Sequence, residues 1–374
     1  MLIKSERQFF LLILLIIVNS CTVQYYPAIN VDDELLVVEG LITDQPRTNT
    51  IKLSKTFPLW RNRNPRPLRG CKVWISDNFE HTDSLHEAQT GSYITDSLTF
   101  QGVAGRIYTL HITTSDSVNL SYESLPMEMK AVPPIDSIYY EKEVFITWPQ
   151  PVEGCQIYLD TYDPTNNCKF FRWEYSETWE FHLPFNVPHR VCWLSENSDE
   201  IFIKNTTILG EARVSRYPIY IIKDPIDRLS IKYSFLVNQF SMDENEYLYW
   251  ERFKNTVDQV GGLYDIIPSS IPNNLFCVEY PYKKVLGYFS VSAVSSKRIF
   301  IKDNFAGLNV KYVDCVTDSI KGAGPVSSSN GSFWVIIDNS DKVPPIRYLT
   351  NKIGCVDCRA RGTEVKPIFW DDGK

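Results

Sequence analysis

Leu35-Leu36-Val37-Val38-Glu39-Gly40-Leu41-Ile42, followed by Thr50-Ile51-Lys52-Leu53-Ser54, is the stretch that decides the fold. The first segment is an apolar run broken by Glu39 and Gly40, the mark of a buried strand. The second alternates apolar and polar residues, as a half-buried strand does. Asp44-Gln45-Pro46 supplies turn residues between them. Outward from this pair, segments at 72–76, 91–95, 108–113 and 121–125 also read as strands. Turn residues separate them at regular intervals, which is the signal for an antiparallel sandwich.

Residues 91–110 resemble the end of an immunoglobulin-like or prealbumin-like module. Ala131-Val132-Pro133-Pro134 then reads as a linker. The expectation is a β-sandwich domain over 34–134 and a larger β-rich domain over 135–374. In the second region, strands are expected at 135–140, 156–161, 170–175, 201–204, 217–222 and 229–240. One principal helix is expected over 241–260. Ser241 and Glu244 form a capping box, and Gly261-Gly262 ends it. Met242, Tyr249, Trp250, Phe253, Val257 and Val260 share one face at helical spacing, which reads as contact with a sheet. Strands at 284–294, 297–302 and 333–337 follow, so the fold class is mainly β.

The first residues have a different character. Lys4 and Arg7 precede an uncharged apolar run, Phe9–Val18, and then Asn19-Ser20-Cys21. This is the layout of a secretory signal, and the run is shorter than the roughly 20 residues of a membrane-spanning helix. Val18-Asn19-Ser20-Cys21 resembles the lipobox of bacterial lipoproteins. Residues 1–20 are therefore expected to be removed and Cys21 to carry acyl chains, palmitate among them. Several chains hold a soluble domain on a membrane where one holds it weakly. Residues 21–33 read as a tether.

Of the nine cysteines, eight remain when Cys21 is set aside: Cys71, Cys155, Cys168, Cys192, Cys277, Cys315, Cys355 and Cys358. An even count in an exported chain points to disulfides. The expected pairs are Cys168 with Cys192, and Cys315 with Cys355 or Cys358. Zinc at Cys355-Val356-Asp357-Cys358 would need a second ligand pair, which the chain lacks, so no metal is expected. Asp160, Asp163, Asn166 and Asn167 are rich in oxygen but lack the pattern of a calcium loop and read as a turn.

The net charge of −7 and the absence of a basic run exclude a nucleic-acid footprint. His81, His86, His111, His182 and His189 are the only histidines, and none lies in a hydrolase or metalloprotease motif. No phosphate loop or dinucleotide fingerprint is present, so no catalytic residue and no cofactor is expected. Exposed aromatics at Trp179, Phe181, Phe185 and Trp193 are the expected partner or ligand surface.

Several pieces in order resemble a lipoprotein family of Bacteroidota known as domain of unknown function 4249. They include Val37–Thr43, Ile135–Ile138, Phe171-Arg172-Trp173, Tyr249-Trp250, Gly262–Asp265, Ile271–Asn274, Val285–Phe289, Cys355–Arg359 and Lys366–Trp370. The resemblance implies an outer-membrane lipoprotein working with a TonB-dependent transporter, since members are often encoded beside such barrels. It also implies O-glycosylation at Asp-Ser pairs, here Ser84, Ser97, Ser117, Ser137 and Ser319. The expected function is a non-enzymatic accessory or capture protein. A structural or adhesive surface protein is the alternative, and an unrecognised hydrolase ranks third.

Overall fold

The computed structural model describes residues 34–56, 66–116, 119–146, 151–183, 185–223, 227–258, 271–306, 315, 318–321, 334–338, 346–350 and 352–371. The expected leader, the tether with Cys21, and Gly261-Gly262 lie outside these residues.

In chain order the strands begin β1 (Leu36–Thr43), β2 (Thr50–Lys55), β3 (Arg66–Pro67), β4 (Lys72–Asp77), β5 (Thr82–Gln89), β6 (Ser92–Ile94), β7 (Ile107–Thr113), β8 (Ser121–Ser124) and β9 (Met127–Glu128). Next come β10 (Ile135–Phe145), β11 (Val152–Asp163), β12 (Phe170–His182), β13 (Val191–Asn197), β14 (Phe202–Asn205), β15 (Ala212–Ile222) and β16 (Lys232–Met242). Helix α1 (Glu244–Asp258) follows. After it run β17 (Leu275–Cys277), β18 (Val285–Ser292), β19 (Val294–Ile301), β20 (Asp318–Lys321), β21 (Trp334–Asp338) and β22 (Ile346–Thr350). The chain is mainly β with one α-helix among the described residues.

The first nine strands join β17 and β18 in one hydrogen-bonded sheet, whose main path runs β17-β8-β7-β4-β5-β6-β2-β1-β18. Alternation drives its curl. Leu36, Val38 and Ile42 of β1, Ile51 and Leu53 of β2, and Val285, Phe289 and Val291 of β18 turn inward to one core. The two ends of the sheet nearly meet, and Asn274 bridges them. Its carboxamide donates to the Phe289 carbonyl at 2.8 Å and accepts from the Phe289 N–H at 3.0 Å. A side chain thus stands in for a strand rung and satisfies an edge that would otherwise be open. Residues 275–293 belong to this first core although they follow the helix. β18 runs parallel to β1 with Leu36 opposite Val285. The close approach requires glycine at 287. Its φ is +90°, and a Cβ there would sit 1.9 Å from the Val38 carbonyl oxygen.

The second core lies between a three-stranded sheet, β10-β11-β15, and a sheet ordered β13-β12-β16-β19 with β14 beside β12. Ile157 and Leu159 of β11 meet Phe171, Trp173 and Tyr175 of β12 and Phe235 and Val237 of β16. β20, β22 and β21 form a small separate sheet.

The helix starts later than its sequence pattern suggests. β16 continues to Met242, which pairs with Phe170, so Ser241 is a strand residue whose hydroxyl donates to the Lys130 carbonyl. The cap is Asp243, whose carboxylate accepts the Glu246 N–H at 2.7 Å. Strand pairing over Ser241 outweighs the local capping preference.

Candidate functional site

Helix α1 lies across the outer face of the first sheet and leaves a cavity of about 630 Å³ beneath its aromatic face. On that sheet the outward residues are Val37 and Leu41 of β1, Thr50 and Lys52 of β2, and Leu286, Tyr288 and Ser290 of β18. Tyr249, Trp250 and Phe253 of the helix form the opposite wall. The second unit contributes Arg172 and Glu174 from β12, so the cavity sits at the seam of the two cores. β12 alternates: Phe171 and Trp173 enter the second core, while Arg172 and Glu174 line the seam.

Arg172 is 5 % exposed, and its guanidinium is held between the Phe240 ring at 4.3 Å and the Trp250 ring at 4.7 Å. One of its terminal nitrogens pairs with Glu174, while its Nε has no protein partner. Two further buried polar atoms nearby are also without protein partners: Tyr288 Oη and Glu246 Oε2. Glu246, in the first turn of the helix, accepts from Trp250 Nε1 at 3.3 Å through its other oxygen. Burial pushes the Glu246 carboxyl up to about 7, against the opposing pull of the Arg172 guanidinium and the Ser290 hydroxyl. A concave, aromatic-walled space with a few convergent polar groups is the usual form of a small-molecule site.

A second constellation spans three neighbouring strands. Ser76 Oγ lies 2.8 Å from His111 Nε2, and His111 Nδ1 lies 3.2 Å from a Glu123 carboxylate oxygen. The order matches a nucleophile, a base and an orienting acid. However, β4 is a central strand between β5 and β7, so its backbone N–H groups serve the ladder and none is left to bind an oxyanion. Trp74 stacks on the His111 ring with centroids 5.0 Å apart. The group is a cross-strand polar ladder.

The disulfides differ from expectation in one pair. Cys192 bonds to Cys358, not to Cys168, and Cys315 bonds to Cys355. Cys168 precedes β12, whereas Cys192 stands opposite Phe181 near its far end. That is roughly 40 Å of strand at about 3.3 Å per residue, far beyond the roughly 7 Å reach of a disulfide. Cys71, Cys155, Cys168 and Cys277 are buried free thiols rather than bridge partners. Burial pushes Cys155 and Cys168 up to about 12, which keeps them unreactive.

The expected aromatic surface also changes character. Trp179 and Phe181 are buried at 2 % and 0 % exposure, so they are core, not a docking face. Trp179 donates to Asp227 at 3.1 Å, and Phe181 lies under the Arg361 guanidinium. Phe185 and Trp193 are half-buried, with Trp193 packed edge-on against Trp370 of the C-terminal tail. β12 runs on to His182, past the expected strand at 170–175, and puts Trp179 and Phe181 on the same face as Phe171 and Trp173, which packs into the second core.

Of the Asp-Ser positions, Ser84 and Ser97 are exposed, while Ser137 is half-buried and donates to Asp160 at 2.7 Å. Ser319 lies on β20, and Ser117 falls outside the described residues. Asp163 accepts backbone N–H groups from Thr165, Asn167 and Cys168, the geometry of a turn. His81, His182 and His189 each meet a carboxylate. No group of metal-ligating residues occurs among the described residues.

Sequence reasoning did not find Arg172, Glu246 or Tyr288. Arg172 carried one signal, as a lone charge inside Phe170-Phe171-Arg172-Trp173. Phe171-Arg172-Trp173, Val37–Thr43 and Tyr249-Trp250, which surround the cavity, are among the pieces that carried the family resemblance. No curated protein matches the chain. The profile of one family, described as Domain of unknown function (DUF4249), matches residues 23–298, from before β1 into β19, and the chain belongs to that family.

Proposed function

We propose that this chain is a lipid-anchored, non-enzymatic capture protein of the outer membrane. It binds a small ligand in the seam cavity and passes it to a TonB-dependent transporter. The observation that carries the binding half is the cavity itself. It joins an aromatic wall from α1 to buried polar atoms on Arg172 and Tyr288 that find no protein partner. Proteins rarely leave such atoms unsatisfied without a use for them. Support for the anchor is the apolar run ending in Val18-Asn19-Ser20-Cys21. Support for the partner is the family resemblance alone.

The test is purification of the native chain from detergent-solubilised membranes. A barrel protein recovered in stoichiometric amount is the expected result. A solitary chain would overturn the partnership and favour an adhesive or spacer role. An unmodified N-terminus by mass spectrometry would overturn the anchor.

A further inference from the structure

We infer that the ligand of the seam cavity is a monocarboxylate carried on a flat apolar body. This rests on the reading of the cavity as a capture site and adds the chemistry of what is captured. Of the three buried polar atoms at the seam without protein partners, those of Arg172 and Tyr288 belong to residues that line the space and can donate, whereas Glu246 is not among the lining residues. A guanidinium can only donate, and Arg172 has an Nε without a protein partner. The Tyr288 hydroxyl, on a side chain 4 % exposed, is equally unpartnered. Both line the cavity. Two unpartnered groups able to donate, one of them cationic and desolvated, favour an acceptor-rich and negatively charged head.

The charge around Arg172 limits that head to a single negative charge. Glu174 already takes one guanidinium nitrogen and also lines the cavity. A dianion such as a phosphate monoester would meet this carboxylate as well. Glu39 and Lys52, opposite one another on β1 and β2, are exposed and of opposite charge, so they add little net field. The rest of the lining is apolar or aromatic: Val37, Leu41, Tyr249, Trp250, Phe253 and Leu286. Trp250 has one ring against Arg172 and also borders the space, so a flat ring stacked there extends an existing cation–aromatic stack.

The test compares 2-naphthoate with its neutral analogue 2-naphthylmethanol. Both are titrated by calorimetry into the full chain carrying Cys21→Ser. The expected result is that naphthoate binds at least tenfold more tightly than the alcohol. Arg172→Met, which keeps an apolar filler between Phe240 and Trp250, should abolish that preference and leave the alcohol's affinity within twofold. Tyr288→Phe, a gentler change, should weaken naphthoate a few-fold. Equal binding of both probes, unchanged in Arg172→Met and Tyr288→Phe, would overturn the carboxylate inference while the capture reading stands. Failure of both probes to bind the parent chain would overturn the inference and count against the cavity as a capture site.

Discussion

Replacing Glu246 by Gln tests the electrostatics of the seam directly. Glu246 is fully buried, and burial raises its carboxyl from an ordinary 4.5 to about 7 in the folded chain. The folded state therefore holds its proton more tightly than the unfolded state. Between pH 4.5 and 7 the folded chain binds more protons at this site, so its stability falls as the pH rises. The favourable contribution is fully present below pH 4.5 and is lost as the pH passes 7. At about 1.4 kcal/mol per pH unit, the span amounts to about 3 kcal/mol. Gln has the same shape, still accepts from Trp250 and cannot ionise. Urea unfolding of the parent and of Glu246→Gln, followed by tryptophan fluorescence at half-unit steps from pH 4 to 8.5, gives the difference in unfolding free energy. That difference should shift by about 3 kcal/mol toward the variant as pH rises from 4.5 to 7, and be flat above. A difference that is constant across the whole range would refute the reasoning, because it would mean Glu246 ionises as it does in water.

Other outcomes follow from the same geometry. Asn274→Ala strips the Phe289 N–H and carbonyl of their partners at the seam of the first sheet. It should cost about 1–3 kcal/mol for each buried group left unsatisfied, read as a lower thermal midpoint, and an unchanged midpoint would show that the bridge is dispensable. Gly287→Ala should cost at least about 3 kcal/mol or prevent folding, because a Cβ would overlap the Val38 carbonyl; wild-type circular dichroism and melting would contradict this. Cys192→Ser with Cys358→Ser removes a bridge between residues 166 apart and should destabilise by about 2–5 kcal/mol, with the C-terminal tail becoming sensitive to protease. A fluorophosphonate probe should leave Ser76 unlabelled, since the backbone N–H groups of β4 serve its ladder; labelling lost on His111→Ala would favour the hydrolase reading.

The mainly β character and the one principal helix were legible because they rest on local period. Leu36–Thr43, Thr50–Lys55 and the strand pair at 285–301 announce themselves by apolar alternation and turn residues. What local pattern could not supply was partnership at a distance. Nothing within Val285–Ser292 says that it lies beside Leu36–Thr43. The same limit explains the disulfide: Cys168 and Cys192 are near in sequence, and the long straight strand between them carries them apart. It also explains Trp179 and Phe181, which lie beyond the expected strand at 170–175, whereas β12 continues to His182 and turns both into the second core. The cavity was hidden for a related reason. Its walls come from β1, β2, β12, α1 and β18, and an aromatic stripe at helical spacing looks the same whether it seals a core or borders a space.

The parallel seating of β18 against β1 has a consequence for how the chain is made. Asp44 and Val294, hydrogen-bonded in the folded molecule, are separated by 250 residues. A ribosome delivers the N-terminal portion long before its last wall exists. Until then β1 keeps one unpaired edge and the first core stays open to solvent. Maturation therefore waits for late-arriving sequence, since contacts of such long range form slowly and expose sticky edges meanwhile.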